Sequence, residues 1–207
     1  TLNLSGVLTN NANGIINFNN TGGNTNGTRI VTGEIDNQGD LNVNHNTSLD
    51  TLTNTADLSI KGASIEITNG FTNSGTIALD YASATDTNSA LTVSSGTLTN
   101  AGTLSTQDFS GTLSTPHEIT ANITNTGTID IGHDTRIIND GLTFDTSAGT
   151  VNVQSGQTLT IDNGTTIVGT ATTLTDVGVD GEINFTGTQT LSLASDFTIT
   201  ATSPKLS

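Results

Sequence analysis

A short phrase recurs along most of this 207-residue chain, and internal repetition restricts the fold more than any other feature of a sequence. Each copy places an Asn between two stretches in which apolar and polar residues alternate. The copies begin at the apolar residues Leu8, Ile35, Leu52, Phe71, Leu98, Ile123, Leu142, Ile167 and Phe197, the last two by a looser alignment. These positions lie about 17 to 30 residues apart, close to the spacing of solenoids and other repeat arrays.

A second phrase, an apolar-x-apolar pair followed by a turn, lies between these copies. It starts at Ile65, Leu91, Leu159 and Leu191. Each repeat therefore holds three short alternating segments, which is the pattern of strands with one buried face. Thr, Ile and Val are typical of strands, whereas Asn and Gly interrupt them. Because no stretch has the apolar spacing of a helix, we expect little or no helix.

Three strands and three turns per repeat predict one coil of a right-handed parallel β-helix, in which equivalent strands of successive coils lie about 4.8 Å apart. The chain would form a single solenoid over residues 1–207, with about nine three-stranded coils. An antiparallel sandwich also has short strands and frequent turns. Its strands do not repeat one phrase at one position, so the repeat favours the all-β solenoid.

The composition agrees with a narrow core. Only 31% of the residues are hydrophobic, and Cys, Met and Trp are absent. A β-helix coil needs only about six inward apolar side chains, fewer than a broad helical or sandwich core demands. Four Lys and Arg residues against nineteen Asp and Glu residues give a net charge of −15. We therefore expect no nucleic-acid partner, since binding of nucleic acid or anionic membranes needs clustered Lys and Arg. No run of about 18 apolar residues exists, so we also expect no membrane insertion.

The Asn of the repeated phrase has a structural interpretation. Asn tolerates the left-handed conformation of a sharp corner, and side-chain amides stacked in successive coils can hydrogen-bond to one another. The sequence predicts a structural ladder made of Asn10, Asn37, Asn54, Asn73, Asn100 and Asn125. Gly75, Gly102 and Gly127 follow three of these asparagines, at a bend where we expect a side chain to clash.

Three polar insertions interrupt the repeat, near residues 19–27, 80–89 and 106–117. Insertions in repeat folds often build the binding face. Tyr81 and Phe109 lie in two of these loops, and we predict them as ligand-contact residues, with carbohydrate as the expected ligand. Neither end of the chain shows an obvious polar cap, so we expect the chain to be a slice of a longer exported protein or to stack on another copy.

The phrase Leu-Thr-Asn-x-Gly-Thr-Ile-x-Ile, in a chain rich in Thr, Asn and Gly, resembles the β-helical passenger of filamentous-haemagglutinin-like adhesins and related autotransporter passengers. The resemblance spans most of the chain and is strongest over residues 52–131. It implies a structural and adhesive stalk segment, secreted or displayed on the outer face of a Gram-negative cell. The implied partners are glycans or proteins on host or neighbouring cells, together with flanking coils or end-to-end self-association.

An enzyme is the alternative, because many β-helices act on polysaccharides. Such sites need paired carboxylates for acid–base chemistry. The best local cluster is 133–136, His-Asp-Thr-Arg, with Asp130 and Asp140 nearby. Alternation sends neighbouring residues to opposite faces, so we expect no catalytic residues and no enzyme activity. The alternative stays open as a self-contained polysaccharide-binding or polysaccharide-cleaving β-helix.

We expect no resident cofactor or metal, with calcium left open as an alternative. Two groups of carboxylates could supply oxygen ligands to Ca²⁺: Glu34, Asp36 and Asp40, and Asp176, Asp180 and Glu182. Neither group matches an EF-hand loop or a calcium β-roll repeat. His45 and His117 stand alone in the sequence, which argues against a zinc site.

Overall fold

The computed structural model describes residues 1–19, 27–81, 88–107, 115–168, 173–176 and 181–193. Over these residues the chain is all-β and contains no helix. The strands form two sheets in which every pairing is parallel. The structure thus confirms the predicted parallel β-helix.

The described residues place eleven strands in the first sheet and eight in the second. The first sheet contains β1 (Leu2–Asn10), β3 (Arg29–Asn37), β5 (Thr47–Asn54), β7 (Ser64–Ile67), β8 (Phe71–Asn73), β10 (Ala90–Asn100), β12 (His117–Asn125), β14 (Thr135–Ile138), β15 (Thr143–Asp145), β17 (Thr158–Val168) and β19 (Glu182–Leu193). The second contains β2 (Ile15–Phe18), β4 (Asp40–Val43), β6 (Asp57–Lys61), β9 (Thr76–Asp80), β11 (Thr103–Thr106), β13 (Thr128–Ile131), β16 (Thr150–Val153) and β18 (Thr173–Asp176).

Strand β10 shows how one coil is built. Its first half pairs with β7, where Leu91 lies opposite Ile65, and its second half pairs with β8, where Leu98 lies opposite Phe71. The halves form the first and second arms of the coil within one sheet, and β11 forms the third arm in the other sheet. The second sheet marks eight coils, and β19 adds a ninth within the described chain. Three arms per coil and about nine coils agree with the repeat.

Alternation along each arm fills the space between the sheets. In β12 every second residue is buried, and the residues between them are only partly buried. The register of the parallel strands stacks equivalent inward side chains of successive coils on one another. The inward row of the second arm contains Ile35, Leu52, Phe71, Leu98, Ile123 and Phe144, and that of the third arm contains Leu41, Leu58, Ile77, Leu104, Ile129 and Val151. Each such side chain contributes about 1.5–3 kcal/mol by leaving water, so a thin column suffices.

The sequence alignment is wrong in register for two coils near the end of the described chain. Phe144, rather than Leu142, lies opposite Ile123. In the next coil Thr166, rather than Ile167, lies opposite Phe144, and Thr166 is 2% exposed. The Leu-Thr-Asn signal is absent from both coils. Leu142 shares the alternation of Phe144, and in the next coil the inward residue is a threonine, so the apolar pattern indicates the wrong starting residue.

The segment 191–193 was predicted as a first-arm phrase, and this assignment is also wrong. Leu191 lies opposite Thr166 in the second arm, whereas Ile183 occupies the first arm opposite Leu159. Period-2 alternation shows which residues share a face but not which arm they belong to. Phe197 lies outside the described residues.

Candidate functional site

The six predicted asparagines stack at the corner between the second and third arms. Each side-chain Nδ2 donates to the Oδ1 of the next asparagine, at 2.7–2.8 Å from Asn10 through to Asn125. All six side chains are at least nine-tenths buried, the most exposed being Asn10 at 5%. The predicted ladder is therefore present as a continuous chain of amide hydrogen bonds inside the protein.

A second set of hydrogen bonds ties the asparagine ladder to the backbone. Asn73 Nδ2 also donates to the carbonyl of Thr103 at 3.1 Å, and Asn100 Nδ2 to that of Thr128 at 3.0 Å. Both amide hydrogens and the carbonyl oxygen of an internal asparagine are thus used, which buried polar groups require. The ladder ends where Asn125 Nδ2 donates to the hydroxyl of Thr146 at 3.4 Å.

The glycines of the repeated phrase lie where the backbones of successive coils nearly touch. A Cβ on Gly102 would lie 2.1 Å from the carbonyl oxygen of Gly75, and one on Gly127 would lie 2.1 Å from that of Gly102. A Cβ on Gly75 would lie 2.2 Å from the Ala56 carbonyl oxygen. These glycines are needed for close approach, as the sequence predicts.

All three insertions leave the solenoid at one corner, which we call the insertion corner. It joins the third arm of one coil to the first arm of the next. Residues 19–28, 81–89 and 107–116 make this connection after β2, β9 and β11, whereas 44–46 and 62–63 suffice after β4 and β6. Of the predicted insertions, residues 20–26, 82–87 and 108–114 lie outside the described residues, and Phe109 is among them. The roots of the insertions are described.

Tyr81 lies inside the insertion corner and not on a loop surface. Its side chain is 3% exposed, so the structure places this predicted ligand-contact residue inside the protein. Its ring centroid lies 4.5 Å from that of His117 and 5.2 Å from that of His133. The two histidine rings are 5.2 Å apart and at least 94% buried. Alternation could have found this cluster, because Tyr81 continues the inward row of Ile77 and Leu79.

The cluster of Tyr81, His117 and His133 binds the roots of two insertions. His117 Nδ1 accepts a hydrogen bond from the Ser89 N–H at 3.0 Å, and its Nε2 lies 3.0 Å from the carbonyl oxygen of Gln107. The Thr115 carbonyl accepts from the Tyr81 hydroxyl and lies 3.2 Å from His133 Nε2. The residues flanking both insertions are therefore fixed by buried side chains.

The local cluster at 133–136 does not converge on one face. His133 and Thr135 are buried, whereas Asp134 accepts a hydrogen bond from the backbone N–H of Thr158 at 2.8 Å. Arg136 points outward and pairs with Glu118 at 3.7 Å and with Asp162. Alternation has separated these residues, as expected, and what remains on the surface is a local ion pair.

The described carboxylates among those considered for calcium do not form a ligand cluster. Among the described residues, the structure brings no three His, Asp or Glu side chains together in a way that could hold a metal ion. The Glu34 carboxylate instead accepts from the Thr53 hydroxyl at 3.3 Å, and that of Asp36 from Gln38 Nε2 at 2.7 Å. Asp180 lies outside the described residues, as does the side chain of Asp176.

A shallow groove borders the insertion corner on the outer face of the first arm. Its volume is about 350 Å³, and its polar lining comprises Thr28, Asn46, Ser48, Ser64, Glu66 and Thr92. Glu66 accepts a hydrogen bond from the Ser94 hydroxyl at 2.5 Å. Hydroxyl and amide groups beside one carboxylate suit hydrogen bonding to a polar ligand such as a sugar.

Among the described residues, no helix is long and apolar enough to cross a membrane. No protein-family model, curated protein or solved structure matches this chain.

Proposed function

We propose that this chain is a structural and adhesive stalk segment of a secreted bacterial surface protein, which holds its insertions away from the cell. The observation that carries the proposal is the single insertion corner. Three insertions, in coils one, four and five, all leave the solenoid there. A binding face made of several loops needs this alignment along one edge of a rod.

The construction of the rod supports a mechanical role. Each coil binds its neighbours through backbone pairing, and the asparagine ladder also joins the first six coils, so a load on one coil passes directly to the next. The net charge is −15, and like charge keeps rods apart. The proposed partners are glycans or proteins on a host or neighbouring cell, reached from the insertion corner.

Location tests the proposal first. An antibody raised against residues 1–207 should label intact source cells or their culture medium, and on a denaturing gel it should detect a chain well above 21.1 kDa. Labelling that requires permeabilised cells would refute surface display, and a free 21.1 kDa species would refute the stalk.

Binding tests the insertion corner. The full chain with residues 82–87 and 108–114 each replaced by a short Gly-Ser linker should lose binding to target cells or immobilised glycans. A chain with the same linker in place of the exposed turn 140–141 is the matched control and should bind normally. Equal binding by both would place the adhesive surface elsewhere.

The groove favours a second candidate, a self-contained polysaccharide-binding protein. Among the described residues, Glu66 supplies the one carboxylate that lines the groove, whereas hydrolysis of a glycosidic bond uses a pair. Asp40 and Asp57 are exposed neighbours on adjacent coils, but they lie on the second sheet. Glu66→Gln should weaken binding to an acidic or neutral polysaccharide in titration calorimetry, whereas Glu34→Gln should not. Reducing sugar released with or without Ca²⁺ would instead indicate cleavage.

A further inference from the structure

Every histidine of the chain lies at the insertion corner and contacts the root of an insertion. The sequence contains three histidines, and each is at least 93% buried. His45 Nε2 contacts the carbonyl of Gly27, which follows the first insertion. His117 and His133 hold the roots of the other two. Thr and Asn occupy most other polar positions of this fold. The insertion corner therefore differs from the other corners in holding all the histidine side chains.

The hydrogen bonds of His117 fix its neutral form. Nδ1 accepts from the backbone N–H of Ser89, so Nδ1 carries no proton. Nε2 therefore carries the ring proton and donates it to the carbonyl of Gln107. A second proton on Nδ1 would face the Ser89 N–H at 3.0 Å, two donors against each other. It would also place a charge on a ring that is 0% exposed.

His45 and His133 differ from His117 in this respect. Nε2 of His45 contacts the backbone carbonyl of Gly27, and Nε2 of His133 lies near the carbonyl of Thr115 and 3.3 Å from the Tyr81 hydroxyl. A carbonyl accepts equally from a neutral or a protonated ring. At His117, in contrast, protonation breaks a backbone hydrogen bond directly.

The ionisable groups around His117 come from four elements. Tyr81 follows β9 and stacks on the ring, and Asp80 at the end of β9 is buried, with its Oδ1 accepting from the Tyr81 N–H at 2.7 Å. On β6, Lys61 is the in-register partner of Asp80. After β13 come His133 and Asp134, the latter held by Thr158. On β12 itself, Glu118 points outward toward Arg136.

We propose that the insertion corner is a pH-sensitive fastening, in which protonation of His117 releases the insertion roots at Ser89 and Gln107 from the solenoid. The fastening is complete above about pH 6.5, the ordinary pKa of histidine in an unfolded chain, and weakens as the pH falls below it. Stability falls with falling pH because the closed corner requires a neutral His117 ring, whereas the opened corner can bind the extra proton. Acid would thus alter how the insertions are presented while the coils stay folded.

Amide hydrogen exchange on the full chain tests this without any substitution. The protection factor of the Ser89 amide should fall by about tenfold for each pH unit below about pH 6.5, since each unit changes the protonation equilibrium of the opened His117 tenfold. The core amide of Leu104 should keep its protection over the same range. The His117 ring signal in the NMR spectrum should titrate below about pH 6.5, because the closed corner holds the ring neutral. A Ser89 protection factor that does not change between pH 7 and pH 4.5 would overturn the proposal.

Two substitutions separate His117 from its matched control. Gln at position 117 can still donate to the Gln107 carbonyl but cannot be protonated, so His117→Gln should abolish the pH dependence at Ser89. His45→Gln, at the same corner in another coil and equally buried, should leave that dependence unchanged. Equal loss of pH dependence in His45→Gln would assign the effect to general unfolding.

Discussion

At the scale of single residues, the repeated phrase encodes contacts between coils more than contacts within one. Asn73 illustrates this, because its side chain accepts from Asn54 and donates to Asn100, its equivalents in the coils on either side. One asparagine therefore satisfies buried groups of three coils. Removing this side chain leaves buried polar atoms that cannot reach water without a partner. The free-energy cost of that exceeds the contribution of one ordinary hydrogen bond.

Asn73→Ala should lower the free energy of unfolding by about 2–6 kcal/mol, because an amide hydrogen on Asn54 and the Oδ1 of Asn100 are left unpaired, each at about 1–3 kcal/mol. Asn42→Ala is the control, since the Asn42–Asn17 amide pair is exposed and its loss should stay within about 0.5 kcal/mol. Urea unfolding followed by circular dichroism measures both. Similar values for the two variants would mean that the ladder contributes nothing beyond a surface contact.

Gly102→Ala should destabilise the protein by about 1–3 kcal/mol or prevent folding, because its Cβ would enter the space of the Gly75 carbonyl oxygen and the backbone must shift. Gly6→Ala offers the comparison, since a Cβ there meets nothing within 4 Å. Thermal unfolding of both variants decides the matter. A Gly102→Ala protein as stable as Gly6→Ala would show that the coils can separate without cost.

At the scale of elements, insertions and register are independent because they occupy different parts of the coil. An insertion at the corner between the third and first arms adds chain where no strand is paired, so the strands on either side keep their partners. Thr99, for example, lies opposite Thr72 in one neighbouring coil and Thr124 in the other, although both insertions of that region intervene. Unequal repeat lengths therefore do not distort the sheets.

The register of β17 has a direct test. Thr166 is buried and its Oγ1 has no hydrogen-bond partner among the described residues. Thr166→Val should stabilise the protein by about 1 kcal/mol, since the substitution keeps the shape and removes an unsatisfied hydroxyl. Thr165→Val, on the outward face, should change stability by less than about 0.5 kcal/mol. Chemical denaturation compares them. A destabilised Thr166→Val would contradict the inward position of Thr166.

The sequence predicts this fold well where residue identity is tied to a backbone need, and less well elsewhere. Asn100 and Gly102 are almost the only residues that suit their positions, so the phrase around them fixes both arm and register. Leu142 satisfies the same alternation as Phe144, two residues further on, and Ile167 is apolar whereas the inward residue Thr166 is not, so the apolar pattern alone chooses wrongly. The buried cluster around Tyr81 is harder to predict from the sequence than the fold. Tyr81 has the chain position of a loop residue and is buried because histidines distant in sequence close over it.

At the scale of the whole molecule, like charge opposes the close stacking of coils. The chain carries −15 net charges on a narrow rod, and equivalent residues of adjacent coils, such as Asp40 and Asp57, lie side by side. Such repulsion acts over the Debye length, about 30 Å at 0.01 M salt and about 8 Å at 0.15 M. Stability should therefore depend on ionic strength more than on any single ion pair.

Raising NaCl from about 0.01 M to about 0.15 M should raise Tm, because screening relieves repulsion in the folded rod more than in the extended chain. Scanning calorimetry checks this. CaCl₂ and MgCl₂ at equal ionic strength provide the control and should raise Tm equally, since no cluster of metal ligands occurs in the described part of the chain. An additional rise with Ca²⁺ alone would reveal a calcium site, and no rise with NaCl would refute the role of repulsion.

The direction of the amides in the asparagine ladder has a consequence for symmetry. Every Nδ2 donates toward the coil that follows in sequence, and every Oδ1 faces the coil that precedes it. Within the ladder, one face of a coil thus presents donors and the opposite face presents acceptors. The donor end at Asn125 is covered by Thr146 of the next coil. An association that continues the ladder beyond Asn10 must therefore supply a donor, so it cannot be isologous and has a defined polarity.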